Sequence, residues 1–119
     1  MLGDIIVILQ YVIILNGIIM EYNQIIKDFD AHIKKSGCSY YSDFYIGITN
    51  DVERRLFDEH RVPREGHWWI YSPADNEAVA REVEKHYLDY GMHGSFGGGK
   101  GDGTAKYVYC YVVSPNTVE

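Results

Sequence analysis

The strongest strand signal in the chain comes late. Residues 106–113, KYVYCYVV, are aromatic or β-branched almost throughout. A strand there needs partners from far back in the sequence, beyond a helical pattern and a glycine-rich stretch. Two earlier segments qualify: residues 44–49 (FYIGIT) and 67–71 (HWWIY). Neither is the unbroken apolar run of a strand buried in a parallel sheet. Three helical patterns lie between and before them. Tyr22, Ile25, Ile26, Phe29 and Ile33 recur at three- and four-residue steps, with Lys34 and Lys35 in the last turn and Gly37 as a stop. Val52, Leu56 and Phe57 form a second stripe, entered through Thr49 or Asn50 as the cap, with Asp51 and Glu53 in its first turn. Residues 76–90 carry Val79, Ala80, Val83, Tyr87 and Tyr90 on one side, and Gly91 ends them. The expected class is α+β: a small three-stranded, mainly antiparallel sheet flanked by helices.

At 119 residues there is room for one domain. Against 11 Lys and Arg stand 17 Asp and Glu, a formal charge of −6. That excludes a protein coating nucleic acid through bulk positive charge, but not a nuclease with a local basic site. Cys38 and Cys110 are too few for a disulfide framework or a four-cysteine zinc site. Reduced thiols in a cytoplasmic protein are the simplest account of them.

Residues 5–20, IIVILQYVIILNGIIM, are apolar except at Gln10 and Asn16. This run is shorter than the roughly 20 residues that a membrane-spanning helix needs. No cation precedes it, and Asp4 stands where a signal peptide carries positive charge. It is consistent with an anchor, with a buried segment, or with upstream sequence before a start at Met20. The last is preferred, which sets residues 1–19 apart from a domain at 20–119.

The glycine-rich residues 94–103 begin like a phosphate-binding loop, with Gly94 and then Gly99-Lys100. Gly101 stands where a metal-binding Ser or Thr belongs, and the loop follows a helix and precedes a strand, the reverse of the required order. A connector whose amides and Lys100 touch phosphates is the weaker functional alternative. The five histidines show no metal-ligand spacing. More pointed is Tyr45-Ile46-Gly47, where a tyrosine leaves a strand beside a glycine. Ten residues after Tyr45, Arg55 lies in the following helix. A phenol that helps take a proton from water and a guanidinium that holds phosphate by two bonds would together suit a phosphodiester. By spacing alone, a packed tyrosine and a solvated arginine remain the simpler account.

YIGITNDVERRL, followed by His60 and by the helix AREVEKHYL over residues 80–88, resembles the GIY-YIG nuclease superfamily. The resemblance covers about residues 38–90. It implies a three-stranded antiparallel sheet with flanking helices, and metal-dependent hydrolysis of DNA phosphodiesters with one Mg²⁺ or Mn²⁺. On that likeness Tyr45 assists the attacking water and Gly47 makes room for backbone or substrate. Arg55, with Arg54 the less favoured neighbour, holds the phosphate. His60 supports proton transfer or the leaving group. Glu84 binds the metal, with Glu82 as the alternative.

The first half-motif has no counterpart, since Tyr40 is only five residues before Tyr45. Tyr40 or Tyr41 serves as a displaced first tyrosine, or else KYVYCYVV fills the missing strand's place, with Tyr107, Tyr109 or Tyr111 facing the site. Nucleic-acid contacts are expected from Arg54, Arg61 and Lys100, with DNA as partner. The rival expectation is a module of the same fold that binds nucleic acid or protein without turnover.

Overall fold

The late strand takes the centre of the sheet. In the computed structural model, which describes residues 2–95 and 103–119, Phe44–Thr49 (β1), Trp69–Pro73 (β2) and Tyr107–Val112 (β3) form one three-stranded sheet in the order β1-β3-β2. Both pairings are antiparallel. Tyr45 lies opposite Tyr111 and Gly47 opposite Tyr109 on one side of β3, while Tyr71 lies opposite Tyr109 on the other. The outer edge of β1 is partly covered: His93 exchanges backbone hydrogen bonds with it, from its amide to the Phe44 carbonyl and from the Ile46 amide to its own carbonyl, both 2.9 Å.

Side chains alternate between the faces of a strand, so the register divides the sheet into two chemistries. One face carries Phe44, Ile46, Val108 and Cys110. It packs against Ile25 and Phe29 of helix α1 (Leu2–Lys34) and against Val79, Ala80 and Val83 of helix α2 (Glu77–Asp89). Tyr87 ties the two helices, its buried hydroxyl 2.8 Å from Asp30 Oδ1 and 3.2 Å from the Ile26 carbonyl. The other face carries Tyr45, Tyr109 and Tyr111, packed against Leu56 and Val62. Leu56 belongs to a π-helical segment, Glu53–Glu59, where the His60 amide reaches back five residues to the Arg55 carbonyl.

The helical pattern seen from Tyr22 onward belongs to a longer helix that reaches back through the apolar run, where Leu9, Val12, Ile19 and Met20 are exposed. Among the described residues no helix is long and apolar enough to cross a membrane. Cys38 and Cys110 are both free thiols.

Two local boundaries differ from the sequence expectation. The π-helical segment is entered through Asp51, whose carboxylate accepts from the Arg54 amide at 3.1 Å, and not through Thr49 or Asn50. The Thr49 hydroxyl is spent one step earlier, accepting from the Asp51 amide. β2 starts at Trp69 and not at His67, because His67 meets β3 through its ring: Nε2 lies 2.7 Å from the Val112 carbonyl. Helix α2 starts as expected, with the Asn76 side chain accepting from the Val79 amide.

Candidate active site

A cleft of about 480 Å³ runs along β1. Tyr45 and Gly47 line it from β1, Tyr109 from β3, Arg54, Arg55 and Glu59 from the π-helical segment, and Glu84 from α2. Four separate elements thus bring two phenols, two guanidiniums and two carboxylates to one opening.

Gly47 explains how Tyr109 comes to be there. A Cβ on Gly47 would lie 2.5 Å from the Tyr109 ring carbon Cζ and nearer still to its hydroxyl. Only a residue without a side chain lets that ring lie across β1 and reach the cleft. The sequence reading reserved this space for backbone or substrate; a tyrosine from the central strand fills it.

The Tyr109 hydroxyl is the hub of a hydrogen-bonded chain. Arg55 donates to it from Nε at 3.2 Å, and His60 Nε2 lies 2.7 Å away. With its oxygen already accepting from Arg55, the phenol has its own proton free to donate to Nε2. Nδ1 of His60 then carries the ring proton and donates to the Val118 carbonyl at 2.6 Å. Burial lowers the pKa of His60, which suits this neutral form. Tyr111 closes the cluster, its hydroxyl 2.9 Å from His60 Nδ1. Burial also raises the pKa of Tyr45, against the opposing pull of Arg55, and raises that of Tyr109. Both are therefore neutral phenols at rest.

Glu59 bridges the arginines, accepting from Arg55 at 2.8 Å through Oε1 and from Arg54 at 3.0 Å through Oε2. Its carboxylate satisfies the two guanidiniums as a phosphate would. The Arg55 hydrogen bond, first among the causes, holds the Glu59 pKa below its ordinary value. The side chain of Glu59 is 42% exposed, so it can leave when a better anion arrives.

Glu84 is only 4% exposed, and its Oε1 has no hydrogen-bond partner among the described residues. Burial pushes its pKa up to about 7, against a lowering pull from Arg81. Glu84 lines the polar cleft, and a buried carboxylate oxygen without a donor among the described residues fits a divalent cation that completes its shell with water and substrate oxygens. Among the described residues no group of three or more His, Cys, Asp or Glu side chains could hold a metal.

Tyr45, Arg55 and Glu84 thus meet in one cleft, and Arg54 joins them. His60 is fully buried and does not line the cleft; it touches two residues that do, Tyr109 through the 2.7 Å hydrogen bond and Tyr45 through ring packing at 4.6 Å. Glu82 is exposed on the outer side of α2, which leaves Glu84 as the carboxylate in place. Arg61 is exposed and outside the cleft lining, in a left-handed conformation at φ 57°. Lys100 lies outside the described residues. Tyr40 and Tyr41 do not line the cleft; of the three tyrosines in the late strand, Tyr109 does. Glu59 was missed, although its position four residues after Arg55 is the helical spacing of an ion pair.

No family model, curated protein or solved structure matches the chain.

Proposed function

We propose that this protein is a metal-dependent endonuclease of GIY-YIG type that hydrolyses DNA phosphodiester bonds. The observation that carries this reading is the meeting of Tyr45, Tyr109, Arg55 and Glu84 in one cleft, with a Glu84 carboxylate oxygen that has no partner among the described residues. The missing first half-motif favours the rival reading, a module without turnover. Tyr109 supplies a second phenol on a strand next to β1, which favours the hydrolytic reading.

In this account a phosphodiester displaces Glu59 from Arg55 and Arg54, whose planar groups hold the non-bridging oxygens. Tyr45 orients the attacking water. As water bonds to phosphorus, its proton passes to the Tyr109 oxygen, while the phenolic proton moves to His60 Nε2. The bond to the leaving sugar oxygen breaks, and that oxygen takes a proton from solvent. Arg55, already bonded to the Tyr109 oxygen, stabilises charge on it as the proton leaves. Val118 keeps the His60 ring turned so that Nε2 faces the phenol. Glu84 would hold Mg²⁺ or Mn²⁺, which supplies Lewis-acid charge at the phosphate. A cytoplasmic location goes with this reading and rests on the two free thiols.

The test is nicking of supercoiled plasmid in Mg²⁺ or Mn²⁺ by the parent protein, Arg55→Ala and Glu84→Ala. Nicking by the parent that both variants lose supports the endonuclease. Equal nicking by all three, or none by the parent, contradicts it.

A further inference from the structure

Beside the cleft, on the same face of the sheet, lies a second groove of about 270 Å³, lined by Asn50, Asp51, Val52, Glu53, Tyr71 and Tyr107. Its floor is aromatic. Tyr71 stacks on Trp69 with ring centres 6.3 Å apart and planes 11° from parallel, and meets Tyr107 edge-on at 6.3 Å. Trp69 is held from below: Phe57 meets it edge-on and its indole Nε1 donates to the Arg64 carbonyl. Tyr71, by contrast, is 47% exposed, and among the described residues its ring contacts are Trp69 and Tyr107.

Two features connect this groove to the cleft. Asn50 lines both. Tyr71 is also the direct cross-strand partner of Tyr109, the phenol in the cleft, so the two lie about 5 Å apart at the backbone. Tyr109 in turn accepts from Arg55 Nε at 3.2 Å, which links the strand beside the groove to the arginine of the cleft.

We propose that this groove seats an unpaired base next to the phosphate being cleaved, stacked on Tyr71, so that the substrate is a single strand or a splayed junction and not continuous duplex. The inference rests on the endonuclease reading and gives its substrate class. Charge does not favour a phosphate here: the charged side chains of the groove, Asp51 and Glu53, are both carboxylates, Glu53 is already ion-paired with Arg64, and the Asp51 carboxylate can accept from the amino group of a base. The whole chain carries −6, which disfavours the dense charge of a duplex. Stacking on exposed rings is the sequence-tolerant way to gain affinity without positive charge. In a duplex the base is already stacked and paired, and its ring face is out of Tyr71's reach.

The test is fluorescence anisotropy in EDTA, so that nothing is cleaved, with a labelled mixed-sequence single strand and its duplex. The parent is expected to bind the single strand about tenfold more tightly than the duplex. Tyr71→Ala should lose most of that preference and Tyr71→Trp should keep it, while Arg55→Ala weakens both ligands. Equal binding of both ligands, or a preference unchanged in Tyr71→Ala while Arg55→Ala still weakens binding, overturns the stacking proposal and leaves the endonuclease reading standing. Binding of neither ligand overturns both.

Discussion

Gly47 and Tyr109 face each other across the β1–β3 pair, and the aromatic ring of one occupies the space that a side chain on the other would need. This single steric fact places a phenol from the end of the chain beside Tyr45. Gly47→Ala should therefore displace Tyr109. Overpacking of this kind costs about 1–3 kcal/mol. Its effect on plasmid nicking should be larger than its effect on folding, because the ring moves away from Arg55 and His60. Thermal melting and nicking rate measured on one preparation check this; an Ala variant with the parent's nicking rate would mean that the position of Tyr109 does not matter.

Glu84 gives a pH dependence with a definite sign. Its folded pKa of about 7 lies above the ordinary glutamate value, which the unfolded chain has. Between those two values the folded protein binds more protons than the unfolded one. The stability that Glu84 contributes is thus complete below the ordinary value and falls as pH rises through about 7. The loss is roughly 3 kcal/mol in order of magnitude. Glu84→Gln should melt like the parent at acid pH and above it at pH values beyond about 7. Mg²⁺ should restore the parent, not the variant, in that alkaline range. Parallel melting curves for the two proteins at every pH would refute the assignment.

Glu59 competes with substrate for Arg54 and Arg55. Glu59→Gln removes a negative charge from the cleft and frees both guanidiniums. The expected result is a KM lowered several-fold with kcat little changed, read from initial rates on a labelled oligonucleotide. A raised KM would assign Glu59 to holding the arginines in place.

The chain from Arg55 through Tyr109 to His60 separates proton transfer from binding. Tyr109→Phe keeps the ring but removes the hydroxyl, and should lower kcat by about 10²–10⁴. Its fold should weaken by about 1–3 kcal/mol, since the buried His60 Nε2 loses its partner. His60→Gln should lower kcat similarly, and the double variant should be no worse than Tyr109→Phe alone, since the two groups act in series. Multiplying losses would show that they act separately.

Much of this architecture is legible in local sequence. The β1 strand, the α2 helix with its Asn76 cap, and the strength of the last strand all follow from patterns that short windows carry. The place of that last strand does not. Tyr107–Val112 pairs on both sides with strands remote in sequence, and only the absence of a first half-motif pointed to it. Among the cleft residues, Tyr45, Arg55 and Glu84 sit on elements whose patterns are clear. Which tyrosine of β3 faces the cleft depends on register, and a shift by one residue would have turned Tyr109 into the opposite core. The role of His60 behind Tyr109 depends on the Val118 backbone, which no side-chain pattern encodes.

The account stands on one carboxylate, one guanidinium and two phenols acting on a single phosphate. Crystals grown with Mn²⁺ and a short uncleavable single strand, measured at the manganese absorption edge, test this most directly. The predicted result is an anomalous peak about 2.2 Å from a Glu84 carboxylate oxygen, with a phosphate at the Arg55 guanidinium and Glu59 turned away. Manganese bound elsewhere, or a strand whose backbone bypasses Arg55 while Glu84 stays bare, would contradict it.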